Sequence, residues 1–217
     1  MNGLYRNRTR AGQQLAGEGR KVLGRRPEPA AVVVALPRGG VPVAHAVAEA
    51  FDAPLDVLVT RTIALPDRPE VGIGVIAGED PPLFEPQALE QLDLTPDQLA
   101  PTVARERAEL HRREELYRSG RPAPELTGRT VILVDDGVIT GLTVRAALRL
   151  LRAADPGRLV LAVPVGEPRT VAELDREVDL LVCPRRPAGL RAVGLWYEDF
   201  TPVTDREVID SLARRAA

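Results

Sequence analysis

Two adjacent carboxylates, Asp135 and Asp136, follow the apolar run Val131, Ile132, Leu133 and Val134, and precede Gly137, Val138, Ile139, Thr140, Gly141, Leu142 and Thr143. The apolar run reads as a buried strand. The polar stretch reads as a loop at its carboxyl end, and the periodic apolar residues of 144–151 as a helix. A loop in that position can turn backbone N–H groups and hydroxyls toward a phosphate at the helix N-terminus. The carboxylates beside it can accept hydrogen bonds from hydroxyls or hold a hydrated divalent cation. A sugar phosphate satisfies both halves at once. The plain alternative is a strand ending in an Asp-Gly turn, with a threonine capping the next helix. Strand, acid pair, loop and helix agree in order, which favours the site.

A second stretch of the same kind lies upstream. Residues 30–36 form a continuous apolar run centred on three β-branched valines, and 41–51 carry a helical pattern. Between them stand Leu36, Pro37, Arg38, Gly39, Gly40, Val41 and Pro42. The glycines let backbone N–H groups face an anion, and Arg38 can add a charge-assisted contact. A simple strand-to-helix turn would use the same residues. Both loops fall at carboxyl ends of parallel strands, where open α/β sheets bind ligands.

The elements that must position these loops follow from periodicity. A polar N-terminal arm over 1–30 contains a helix at 8–23, and prolines interrupt the chain at 26–29. Residues 55–60 read as the next strand, which completes a β-loop-α-β unit. Residues 71–77 are strand-like. Gly72, Gly74 and Ala77 formally match a dinucleotide fingerprint, but the prolines and acids of 78–82 forbid the helix it requires. These glycines read as a strand or hairpin that lets a ligand or backbone approach closely. Thr95, Pro96 and Gln98 are a helix start, with a cap, a proline at the first position and a glutamine at the third. That helix runs to about 118, with a narrow apolar stripe of Leu99, Val103, Leu110 and Leu116. A proline-bearing linker covers 119–126. Thereafter come a strand from 130, a helix at 142–153, a strand at 158–164, a helix at 169–177, a strand at 178–183, a short strand near 192–196 and a helix at 204–215. The expected fold class is α/β: an open, mainly parallel sheet flanked by helices, with a small hood and an inserted helical segment. One domain spans 1–217, with its core at about 30–77 and 127–185, the insertion at about 83–126, and the hood drawn from 1–29 and 186–217.

Composition narrows the function classes. The chain has 217 residues, 44% hydrophobic and 28% charged, with a formal net charge of -2. There is no basic field for nucleic acid and no apolar run approaching the roughly 20 residues of a membrane helix. The first ten residues are polar and basic without an apolar segment after them, unlike a secretory leader, so a cytoplasmic location is expected. A single cysteine, Cys183, excludes an intramolecular disulfide and a cysteine zinc cluster. It reads as a small core or edge residue. The two histidines, His45 and His111, sit in separate helical patterns. Lys21 is the only lysine and lies outside any Gly-Lys-Ser/Thr loop, which removes a P-loop and a receiver domain. The acids are adjacent, whereas haloacid-dehalogenase-type phosphatases use Asp-x-Asp.

The acid pair and its loop resemble the binding motif for phosphoribosyl pyrophosphate (PRPP) in the type I phosphoribosyltransferases. The resemblance implies that Asp135 and Asp136 contact the ribose 2′- and 3′-hydroxyls. Val138, Ile139, Thr140, Gly141, Leu142 and Thr143 would wrap the 5′-phosphate. In that family the loop after the first core strand holds the pyrophosphate, often through a cis peptide, so Arg38 and Gly39 take that role, with Arg61 adding a cation. Asp135, Asp136 and Arg38 become the catalytic set. Mg²⁺ is the implied cofactor, held indirectly through Asp135 and Asp136. The implied reaction transfers ribose 5-phosphate from PRPP to a small nitrogen heterocycle and releases pyrophosphate.

The likeness extends to a bacterial group of stand-alone phosphoribosyltransferase-like proteins. It is carried by residues 5–12, the loop 36–41, Pro69 and Glu70, the acid-pair loop and the tail 193–200. In this light Trp196 and Tyr197, clustered with Phe200, become acceptor-site residues under a hood, or alternatively an aromatic plug of the core. Glu70 becomes a polar contact or base. Arg105, Arg107, Arg112 and Arg113 could close over the site, or form a solvated face with glutamate partners. The chain departs from that group at Thr62, where a lysine is usual, at Ala64, where a glycine is usual, and at Ile139 and Leu142, where small residues are usual. Ile139 also replaces the acid that serves the purine in hypoxanthine-guanine enzymes. Thr62 and Ile139 therefore support a second class, a non-catalytic PRPP- or nucleotide-binding regulatory protein. Neither class calls for a nucleic-acid or membrane partner, and a homodimer is left open.

Overall fold

The computed structural model describes residues 3–65 and 67–215, without the side chains of Pro69 and Glu70. After helix α1 (Arg8–Leu23), strand β1 (Ala31–Ala35) leads into α2 (Gly40–Phe51) and β2 (Leu55–Val57). The chain then leaves this sheet. Strands β3 (Thr60–Leu65), β4 (Arg68–Ala77) and β5 (Leu83–Phe84) form a separate antiparallel sheet in that order. Two helices follow, α3 (Pro86–Leu92) and α4 (Ala100–Arg118). Strand β6 (Thr130–Val134), α5 (Leu142–Ala153), β7 (Arg158–Ala162), α6 (Pro168–Leu174) and β8 (Leu180–Val182) return to the first sheet, and α7 (Asp205–Ala213) ends the chain.

The first sheet has the order β2-β1-β6-β7-β8, and its pairs are all parallel. Its strands are apolar on both faces because helices cover both. Alternate residues divide cleanly between two cores. Val33, Ile132, Val134 and Val160 face α1, α2 and α7, whereas Val32, Val34, Val131, Leu133, Leu159 and Leu161 face α5 and α6. Helices α1 and α4, with the turn that leads into α4, contribute Leu15, Ala16, Leu99, Leu110 and Tyr117 to the first core. The arm and the insertion are thus packed parts of the body.

Three expectations need correction. The strand expected at 55–60 is divided. The N–H of Leu58 donates to the carbonyl of Ala35, the last residue of β1, and beyond that point β1 has turned into its loop and offers no ladder. Thr60 instead opens the hairpin with β4. Residues 193–196 form a 3-10 turn rather than a strand. Gly194 accepts locally from the N–H of Tyr197, the Trp196 carbonyl accepts from the N–H of Tyr5, and the tail pairs only at the Tyr5–Tyr197 bridge among the described residues. The approach at Gly72 and Gly74 comes from side chains of the hairpin itself. A Cβ there would lie 2.8 Å from Thr62 Cγ2 and 2.7 Å from Phe84 Cδ1. The start of the inserted helix is only partly as read: Thr95 N–H donates to Gln98 Oε1 at 2.7 Å, but the residues after it form a 3-10 turn at Asp97–Leu99, and the α-helix begins at Ala100. Among the described residues no helix is long and apolar enough to cross a membrane.

Candidate functional site

Strands β1 and β6 are neighbours, yet the chain proceeds from β1 to β2 on one side and from β6 to β7 and β8 on the other. Loops leaving their carboxyl ends therefore part, and a crevice opens at this switch point. One wall is the loop at 36–40, in which the Pro37–Arg38 peptide is cis. The other wall is the acid pair. The two are in direct contact: a Cβ on Gly39 would lie 2.2 Å from Asp136 Oδ2, and one on Gly40 would lie 2.8 Å from the carbonyl oxygen of Val134. Only glycine permits this approach. Asp135, Asp136, Arg38 and Gly39 are thus brought together. The Arg38 side chain is 43% exposed, and its nearest ionic partner is Asp205, at 3.8 Å.

Each carboxylate has one oxygen committed to the protein. Asp135 Oδ1 accepts the N–H of Asp136 at 2.8 Å, and Asp136 Oδ2 accepts Nε of Arg8 at 2.8 Å. Among the described residues, Asp135 Oδ2 and Asp136 Oδ1 have no hydrogen-bond partner. Two free acceptors on consecutive residues suit a pair of vicinal hydroxyls. Burial raises the Asp135 carboxyl well above the usual range, and the negative charge of Asp136 raises it further. Burial also raises Asp136, opposed by the Arg8 hydrogen bond and charge.

The loop expected to hold the phosphate is anchored at its first residue. Val138 donates its N–H to Val165 at 3.0 Å and accepts from the N–H of Glu167 at 2.9 Å. Its donor is used, so Val138 fixes the loop and is removed from the expected cradle. The carbonyls of Ile139 and Thr140 accept from Thr170 Oγ1 at 2.5 Å and Arg145 Nη1 at 3.2 Å. Gly141, at φ 77°, turns the chain into α5. Among the described residues, the N–H groups of Ile139, Thr140, Gly141, Leu142 and Thr143 have no protein acceptor. A run of free amides at a helix N-terminus favours an anion.

Other expected residues are engaged elsewhere. Arg61 is held by Glu106 of α4, with Nη2 and Nε both on Oε2 at 2.7 and 3.0 Å, so it is not a free cation for pyrophosphate. Arg105 pairs with Glu106, and Arg112 and Arg113 with Glu109. Hydrogen bonds from Arg112 and Arg113 hold the Glu109 carboxyl down to about 2. Arg107 caps the carbonyls of Gly78 and Asp80. These four arginines bind within and around α4 instead of closing over the crevice. Tyr197 is a buried plug beneath the acid pair. Its hydroxyl donates to the Asp136 carbonyl at 2.6 Å, and its ring lies 5.5 Å from Tyr5 and 5.0 Å from Phe200. It has no face to offer an acceptor, whereas Trp196 is half-buried. The side chain of Glu70 lies outside the described residues.

Two residues escaped the sequence reading. Arg8 is one of three arginines between positions 6 and 10, and nothing local separates it from Arg6 and Arg10. Val193 packs against Gly137, where a Cβ would lie 2.6 Å from Val193 Cγ1. This contact docks the tail beside the acid pair.

Two measurements check this geometry. Tyr197→Phe leaves the Asp136 carbonyl without its donor and is expected to cost about 1 kcal/mol, which calorimetry would read as a fall in Tm of about 2–4 °C. An unchanged Tm would contradict the plug. Burial pushes the Cys183 thiol up to about 11. Its reaction with a thiol reagent at pH 8 is expected to be slower by about 100-fold in the native protein than in urea. Equal rates would contradict its burial.

Residues 18–186 match the family described as "Phosphoribosyl transferase domain". The chain is 39% identical over 211 residues to Rv0571c of Mycobacterium tuberculosis H37Rv, whose name assigns it provisionally to the phosphoribosyl transferases; the match covers 97% of this chain and 47% of that protein. The chain thus spans about half the length of the curated relatives it matches. The crystal structure of TT1426 from Thermus thermophilus is 36% identical, with a TM-score of 0.77 over 99% of this chain and 100% of that one. A hypothetical protein from Neisseria gonorrhoeae, solved with bound ppGpp, shares the fold at 16% identity and a TM-score of 0.51, over 98% of this chain and 93% of that one.

Proposed function

The chain belongs to the phosphoribosyl transferase family, and we propose that it uses PRPP and Mg²⁺ to transfer ribose 5-phosphate to a nucleobase-like nitrogen heterocycle, releasing pyrophosphate. One juxtaposition supports this reading above all. Two carboxylate oxygens without a partner among the described residues lie between a loop of similarly free amides and the Arg38-Gly39 loop, with Gly39 packed on Asp136.

The amides of 139–143 hold the 5′-phosphate. Asp135 Oδ2 and Asp136 Oδ1 accept the ribose hydroxyls. Arg38 and the backbone beside it hold the pyrophosphate. As the bond from C1 to the pyrophosphate oxygen lengthens, positive charge grows on the ribose ring near the two carboxylates, while negative charge grows on the leaving group near Arg38. The acceptor nitrogen then forms its bond to C1 and gives up its proton to solvent. Trp196, with its half-buried face, is the acceptor contact we favour on the tail. Among the described residues no cluster of three or more acidic, histidine or cysteine side chains could ligate a metal directly. The acid pair does fit a Mg²⁺ carried by substrate oxygens, held through hydroxyls or water. Bound there, Mg²⁺ would supply neutralising charge for the leaving pyrophosphate. We assign the protein to the cytoplasm.

A second reading, a non-catalytic PRPP sensor, is favoured by the engagement of Arg61 with Glu106 and by Ile139, which has no proton-transfer group. The test is PRPP binding by calorimetry with Mg²⁺, followed by pyrophosphate release across a broad panel of bases. Binding with turnover on at least one base is the expected result. Binding without turnover on any base selects the sensor. No binding, with the Asp135→Asn/Asp136→Asn protein behaving identically, rejects both.

A further inference from the structure

We infer that Arg8 is a positioning residue for sugar recognition: from helix α1, it fixes which oxygen of Asp136 faces the ribose. The inference rests on the sugar-phosphate reading above and goes beyond it, because it brings the N-terminal helix into the site.

Arg8 is only 8% exposed. Its guanidinium makes three separate contacts. Nε donates to Asp136 Oδ2 at 2.8 Å, Nη1 donates to the Thr201 carbonyl at 2.8 Å, and its carbon lies 3.6 Å above the Phe200 ring. A planar fork with several donors can meet an acid, a carbonyl and an aromatic face together, which an ammonium cannot. The helix that carries it is itself fixed. Asn7 caps it through the N–H of Arg10, and Leu15 and Ala16 lie in the core. Thr201 and Phe200 lie on the tail, which is tied to the arm by bonds from Glu198 to Tyr5 and from Asp199 to Arg6.

The effect on Asp136 is directional. Arg8 and the wall at Gly39 both hold Oδ2, so Oδ1 is the oxygen left to a ligand. Without Arg8 the carboxylate would be buried beside Asp135 with no cation, free to rotate away from its neighbour. The phosphate loop is built from other bonds, through Val138 and Thr170, and does not depend on Arg8.

Binding of ribose 5-phosphate and of inorganic phosphate to the whole chain separates these contributions. The ratio of the two affinities measures the gain from the sugar hydroxyls. For Arg8→Ala that ratio is expected to fall about tenfold, as for the loss of a charge-assisted hydrogen bond, with phosphate affinity within about twofold of the parent protein. Arg8→Lys is expected to recover part of the ratio. Arg8→Met, which keeps the packed stem but has no donor, gives the same reading if the alanine variant does not fold. An unchanged ratio overturns the inference, and so does an equal loss for both ligands, which would mark Arg8 as purely structural. Failure of the parent protein to prefer ribose 5-phosphate over phosphate would instead count against the sugar-phosphate reading itself.

Discussion

Replacing Asp135 by Asn is expected to make the protein more stable while weakening the PRPP binding proposed above. Asp135 is buried beside a second carboxylate, and its carboxyl lies well above the usual range, first because of burial and then because of Asp136. A folded-state pKa above the unfolded value means that the native state holds the proton more tightly. The penalty is absent at pH below the unfolded value and complete above the folded one, so wild-type stability falls as pH rises between them. Asn keeps an oxygen for the Asp136 N–H and carries no charge. We expect a gain of about 1 kcal/mol at pH 8, or about 2–4 °C in Tm, shrinking to nothing near pH 4. PRPP affinity should fall by about 10–100-fold, as one charged acceptor for a sugar hydroxyl is lost. Thermal melts from pH 4 to 8 and calorimetric titrations read both effects. A Tm at pH 8 no higher than wild type would refute the account. Such an exchange of stability for function is typical of binding sites.

Gly39→Ala should produce the opposite pattern, losing both stability and binding. The Gly39 backbone, at φ -60° and ψ -36°, suits any residue, so the effect is steric. The new Cβ would lie 2.2 Å from Asp136 Oδ2 and 2.9 Å from its Cγ. Asp136 must move, and the oxygen that must shift is the one that accepts from Arg8. Overpacking of this kind costs about 1–3 kcal/mol, against a helical preference for Ala over Gly of at most about 1 kcal/mol. PRPP affinity should drop by at least about tenfold. A binding isotherm for Gly39→Ala superimposable on wild type would mean that the two loops do not share one ligand.

The two halves of the site were legible because each is local. An apolar run centred on three valines, then Arg-Gly-Gly, then a helix can be read from residues 30–51 alone. The same holds for the apolar run, the acid pair and helix α5 at 131–151. The period-2 faces of β1, β6 and β7 are likewise written in side-chain type, since neighbouring residues of a strand must face different layers. The division of 55–60 was less legible. Where β2 stops depends on where β1 runs out of partners, and that is a property of two segments.

The charges were least legible of all. Arg61, Arg8 and Tyr197 are each surrounded in sequence by residues that give no hint of their partners. Arg61 meets Glu106 across 45 residues, Tyr197 meets the Asp136 carbonyl across 61, and Arg8 meets Asp136 across 128. The sequence by itself determined the layers and the two loops at the strand ends, because periodicity and turn chemistry act over a few residues. Only the tertiary structure decided which cations are free, which amide of the phosphate loop is already used and which carboxylate oxygens remain open. Hydrogen bonds and ion pairs act over a few ångströms and leave no period along the chain.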